Sequence, residues 1–99
     1  MEGFQDGDQV FLSYVSNRSY AEDAKGHVYP ATILAAEHGL VEVHGAARVL
    51  NSFEQVSATE CEAWHKCADE LDDLARRLQA AAADCRGKAG HAKRKEIAA

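Results

Sequence analysis

The sequence predicts an α+β protein in which a small four-stranded antiparallel β-structure is followed by one long amphipathic helix. Two observations predict it. Residues 9–53 hold four short runs dense in β-branched and aromatic side chains, and Gly-containing turns separate the last three. Residues 57–86 then contain neither Gly nor Pro and repeat apolar side chains at steps of three and four.

The strands come in order. Residues 9–15 (QVFLSYV) make the first, and the polar, aperiodic residues 16–25 make a long loop. Residues 27–36 (HVYPATILAA) make the second strand. Pro30 lacks an amide donor, so its position should fall at an edge, a bulge or a strand start. Glu37-His38-Gly39 is a turn in which Gly39 can adopt positive φ. Residues 40–44 make the third strand, with Leu40 and Glu42 on one face and Val41 and Val43 on the other. After Gly45-Ala46, residues 47–53 make the fourth, with a run-on towards Val56.

The helix opens on a capping box. Ser57 with Glu60 supplies one and Thr59 with Glu62 offers the same box two residues on. Trp64, Cys67, Leu71, Leu74, Leu78, Ala81 and Cys85 form a single apolar stripe. Glu62 with Lys66, Asp72 with Arg76 and Asp73 with Arg77 are acid-before-base pairs at i, i+4. Gly87, between Arg86 and Lys88, is the expected C-cap. The remainder, with its second glycine, reads as a flexible basic tail over residues 87–99. A single domain over 1–86 is therefore expected, with the β-part at 8–56 and the helix at 57–86.

Length gives the helix a functional meaning. Ninety-nine residues fit one domain, and so short a chain buries only roughly 60 to 65% of its unfolded surface. A helix of about 28 residues is about 42 Å long, whereas a strand of five to seven residues spans about 17 to 24 Å. The β-part can shelter the stripe around Trp64 and Leu71. Leu74 to Cys85 would face water unless a second helix covers them. A homodimer through the C-terminal helix, or a heteropartner on the same stripe, is expected, and a break near residues 80–83 with the chain folding back is the alternative.

Charge is divided along the chain. Through residue 85 fifteen acids face six bases, a net −9, and from Arg86 onward five bases face one acid, a net +4. Glu62, Asp69, Asp72 and Asp73 give the helix an acidic face suited to a protein partner with a basic surface. Arg86, Lys88, Lys93, Arg94 and Lys95 could meet nucleic-acid phosphates, although the larger negative balance elsewhere opposes that. There is no apolar run near the roughly 18 residues that cross a membrane, and the first residues lack the pattern of a secretory signal. Three cysteines, Cys61, Cys67 and Cys85, do not resemble a secreted disulfide framework, so a cytoplasmic location is expected. Abundant alanine and scarce lysine fit a GC-rich bacterial or bacteriophage gene.

Little of this is catalytic. No Gly-x-Ser-x-Gly, P-loop, GxGxxG or HExxH pattern occurs, and no cofactor is implied. Cys61 and His65 share a helical face, but Cys67 lies roughly 200° round the helix from His65, so the late Cys and His residues do not converge as zinc ligands. A non-enzymatic protein–protein interaction protein is expected, a small acidic adaptor or inhibitor. A nucleic-acid-associated regulator is the alternative.

A first strand, a long loop and a three-stranded meander, with the strand containing YPATIL, resemble the small SH3-like or Tudor-like β-barrels over roughly residues 8–56. The resemblance implies a barrel mouth, which in Tudor-like domains is an aromatic cage for methylated lysine or arginine held by cation–π attraction. Phe11, Tyr14, Tyr20, Tyr29 and Phe53 are the residues available for one, and the same rings are the bulk of any core.

Overall fold

The computed structural model describes residues 1–98, so Ala99, the last residue of the expected tail, lies outside the described residues. The order is β1 (Gln9–Ser16), β2 (Lys25–Ala35), β3 (Leu40–Val43), β4 (Ala46–Val49), β5 (Gln55–Ser57) and α1 (Glu60–Ala98), with single 3₁₀ turns at Ala21–Asp23 and Ala36–His38. The strands make one antiparallel sheet in the order β4-β3-β2-β1-β5. It has five strands rather than four, and it is open rather than a closed barrel, because β4 and β5 are its two edges.

The extra strand comes from a turn inside the run expected to be one strand. Leu50 turns its amide to the Gly39 carbonyl at 2.7 Å, and the Glu54 amide then bonds the Asn51 carbonyl at 3.1 Å. The Glu54 carboxylate accepts the Asn51 amide at 3.0 Å, closing the turn from both ends. Asn and Ser at 51 and 52 are turn formers whose side chains compete with strand pairing. Beyond the turn the chain enters β5, which crosses to pair with β1 through Phe11↔Ser57 and Leu12↔Val56.

Local chemistry explains the other joints. His44 and Gly45 both take positive φ, 51° and 80°, the pairing a two-residue hairpin between Val43 and Ala46 requires. Gly39 takes φ 64° at the end of the 3₁₀ turn. The β2–β3 register shifts between Ile33 and Ala35, a bulge that bends β2. Pro30 pairs with Phe11 on β1, but the ladder to β3 starts only at Thr32, so its missing donor costs nothing on that side.

Alternation along β1 and β2 gives the sheet two different faces. Val10, Leu12, Ala31, Ile33 and Val41 form the buried core on one face, with Tyr29, Val43, Leu50 and Val56 packed against them. Residues 1–8 close that core rather than trailing from it. Met1 and Phe4 pack on it, the Gly7 amide donates to the Ile33 carbonyl at 2.7 Å and the Ile33 amide to the Asp8 carbonyl at 2.9 Å, and the Asp6 carboxylate accepts the Ala36 amide at 2.8 Å. The opposite face carries Ser13, Val15, Gly26 and Ser57, and α1 lies across it.

The helix begins at one of the two expected starts and differs from expectation at its other end. Its cap is the second of the two boxes, with the Thr59 hydroxyl accepting the Glu62 amide at 3.2 Å. Ser57 is instead a buried β5 residue whose hydroxyl has no partner among the described residues. Nor does Gly87 end the helix. The expected flexible tail continues as helix to Ala98, with Gly87 and Gly90 inside it. Nor is there a break near residues 80–83. The molecule is accordingly long, 69 × 24 × 22 Å.

Candidate functional site

Close approach fixes the start of the helix on the sheet. Ala63 and Cys67 are buried against it, Cys67 at 4% exposure. Gly26 lies so near that a Cβ there would stand 2.9 Å from the Cys67 Cβ, inside van der Waals contact. The Cys67 thiol faces the Tyr14 and His27 carbonyls, 3.8 Å from each. Burial pushes this thiol above its ordinary value, with the Glu70 carboxylate acting in the same direction, so it stays protonated and inert.

Polar bonds then guide the helix outward. Lys66 Nζ donates to the Val56 carbonyl at 2.6 Å, and Gln55 donates to Glu70 at 3.2 Å. Arg18, from the β1–β2 loop, donates to both Glu70 oxygens at 3.1 Å and to the Val15 carbonyl at 3.3 Å. Arg18, Glu70, Asp73, Leu74 and Arg77 line a shallow recess where the body ends. Every residue from Ala75 to Ala98 is exposed except Ala82 and Gly90, which are half-buried.

The apolar stripe is thereby cut in two. Cys67 is buried, Trp64 is 48% exposed with its ring edge near Gly26, and Leu71 and Leu74 are half-buried. Leu78, at 51% exposure, and the exposed Cys85 lie beyond the body. On the acidic face Glu62, Asp69 and Asp72 are exposed, while Asp73 is half-buried and bonded to Arg77 at 2.8 Å. Of the three expected ion pairs only that one forms. Lys66 turns to the sheet, and Arg76 lies 3.9 Å from Asp73. Arg86, Lys88, Lys93, Arg94 and Lys95 are all exposed on helical turns rather than on a coil, and Lys88 bonds Asp84 at 2.9 Å.

A second cluster occupies one end of the core face. The Tyr14 ring stacks on His27 at 4.7 Å and meets Tyr29 and Phe53 edge-on at 6.1 and 5.8 Å. The rings pack on one another, leaving Phe53 47% exposed at the rim. Of the other rings available for a cage, Phe11 projects to the opposite face beside Gln9 and Thr32, and Tyr20 is 69% exposed in the loop. Sequence reasoning missed His27, although its pairing with Tyr14 is plain once β1 and β2 are set in register.

Behind these rings lies the most buried charge in the protein. Glu54, 7% exposed, takes both its oxygens to Arg48 at 2.7 Å, and Arg48 also donates to the Tyr29 hydroxyl at 2.6 Å. This fork links β4 to the residue preceding β5, so side chains join the two sheet edges where no backbone ladder does. Among the described residues, no group of three His, Cys, Asp or Glu side chains could hold a metal ion, and no helix is long and apolar enough to cross a membrane. Comparison with protein-family models, with curated proteins and with solved structures found no match to this chain.

Proposed function

We propose that this chain is a non-enzymatic protein–protein interaction protein, a small acidic adaptor or inhibitor, that works as a homodimer through its C-terminal helix. One observation carries the reading. The helix leaves its own body near Leu74 and continues for 24 residues, about 36 Å, with Leu78, Ala81 and Cys85 still on the stripe. An unpaired helix of that kind is marginal in water, because helical stability in proteins comes mostly from packing an apolar face. Gly87 and Gly90 each cost it about 1 kcal/mol more relative to alanine. A second helix along the stripe offsets both costs.

The body is read as an open version of the SH3-like or Tudor-like layout, with the Tyr14–Phe53 rim as a further contact surface. Asp69 and Asp72, exposed where the helix leaves the body, suit a partner of positive charge. A phage or mobile-element protein directed at a host or defence protein fits this size and composition. Equilibrium sedimentation of the wild type against Leu78→Glu tests the reading. A dimer that becomes a monomer on substitution is expected, and a monomer in both sinks it.

A further inference from the structure

The fold redraws the division of charge. Once the helix leaves its body at Leu74, residues 75–98 carry seven bases, from Arg76 to Lys95, and two acids, Asp84 and Glu96, a net +5 with His91 neutral. The chain through Leu74 holds fourteen acids and four bases, a net −10. Counted over the whole chain, that excess opposes any polyanion. The helix removes the opposition by distance. Arg86 stands about 18 Å beyond Leu74 and Lys95 about 32 Å, whereas charge is screened within about 8 Å at physiological ionic strength.

The bases are also ordered round the helix. At about 100° per residue, Arg86 and Lys93 fall together on one flank, and Lys88 and Lys95 together on the flank opposite, all four exposed. Between the flanks run Ala83, Gly87 and Gly90, with the Arg94 guanidinium 3.6 Å from where a Gly90 Cβ would stand. A Cβ at Gly87 would meet nothing within 4 Å, and the recess there is lined by Lys88, His91 and Lys95. The acids stand clear of this strip. Asp84 is held by Lys88 at 2.9 Å, and Glu96 lies on the far side of the helix with Leu78, Cys85 and Ala92.

Two opposed basic flanks on one helix fit one kind of polyanion. The major groove of B-form DNA is about 12 Å wide, and a helix with its side chains is about 10 to 12 Å across. A helix seated there has a phosphate strand on either side and base edges beneath it. A flat anionic surface would meet one flank at a time, and the major groove of A-form RNA is too narrow to admit a helix. From this geometry we propose that the far end of α1, residues 84–98, docks in the major groove of duplex DNA. Arg86 and Lys93 meet the phosphates of one strand, Lys88 and Lys95 those of the other, and Arg94 projects towards the base edges. Exchanging Asp84 for a phosphate costs Lys88 little, because an exposed ion pair is worth about 0 to 1 kcal/mol. The apolar stripe faces away from the groove, so docking neither uses nor requires the homodimer. The helical continuation past Gly87 thereby gains a purpose, since a coil would not hold the two flanks apart.

Fluorescence anisotropy of a labelled duplex about two helical turns long, titrated with the full chain, tests this docking. Four phosphate contacts predict binding that weakens roughly 150-fold as NaCl rises from about 0.05 to 0.2 M. Arg86→Gln with Lys93→Gln, and separately Lys88→Gln with Lys95→Gln, should each weaken binding about tenfold or more and halve the salt dependence. Circular dichroism of each pair should match wild type, because all four side chains are exposed. No binding at about 0.05 M NaCl, a flank pair without effect, or equal affinity for duplex RNA or for phosphatidylserine vesicles overturns the docking. Sedimentation reads the dimer separately, so the failure of one leaves the other standing.

Discussion

The two stretches of α1 on either side of Leu74 share one helix and one apolar stripe, yet different surroundings hold them. Before Leu74 the helix is seated by contact. Ala63 and Cys67 are buried, Gly26 leaves no room for a Cβ, and Lys66 and Glu70 are bonded to sheet or loop. After Leu74 the stripe residues among the described residues are exposed, Ala82 and Gly90 alone in that stretch being half-buried, and Leu78 is half in water. An apolar side chain has no fixed worth of its own. Its contribution depends on what excludes water from it, at about 25 cal/mol per Å² removed.

Substitutions of one chemical kind, made in both regions, can break that contrast. Leu12→Ala in the core should destabilise the protein by about 2 to 5 kcal/mol, the range for truncating a buried leucine. Leu78→Ala should leave unfolding of the body, followed by Trp64 fluorescence in urea, within about 0.5 kcal/mol of wild type while weakening the dimer. A comparable loss at both positions would mean that the free stretch is covered within one chain.

Glycine to alanine should reverse its sign between the regions. Gly26→Ala drives a methyl to within 2.9 Å of the Cys67 Cβ and should cost about 1 to 3 kcal/mol, as overpacking does. Gly87 has nothing within 4 Å of where a Cβ would stand, so Gly87→Ala should raise helicity and stabilise by up to about 1 kcal/mol. Thermal melts by circular dichroism read both.

The smallest expected effect is at Cys67. Its thiol holds its proton in the folded state above the ordinary value of 9.0. The folded protein therefore binds more protons than the unfolded chain in alkali. The stabilisation is fully present below pH about 9 and is lost as pH rises through the folded value. The stability of Cys67→Ala relative to wild type should accordingly improve as pH rises past the ordinary value of 9.0. A pH-independent difference would place the thiol in water.

Much of this was legible in the residues, and where it was not the reason is specific. The strand at 40–43, with Val41 and Val43 inward, is set by alternation, because period two survives in any register. The run 47–53 misled because Asn51 and Ser52 sit between Val49 and Phe53, and strand-like neighbours outweighed two turn formers until Glu54 and Leu50 found partners elsewhere. Met1 and Phe4 lacked any periodic context, so their part in the core was invisible. Gly87 looked like a terminus because a glycine flanked by bases ends many helices, but nothing in this structure gives it positive φ or a stop.

By itself the sequence determined a helix with one apolar seam, a sheet with alternating faces and a charge that changes sign near residue 86. These depend on neighbours a few residues apart, where backbone geometry alone decides who shares a face. Only the tertiary structure decided that β5 leaves β4 for β1, that His27 joins Tyr14, and that the seam passes out of its body's cover at Leu74. Those outcomes turn on contacts between distant segments. Space at Gly26 and the reach of Arg48 and Arg18 settle them, and no local pattern encodes either.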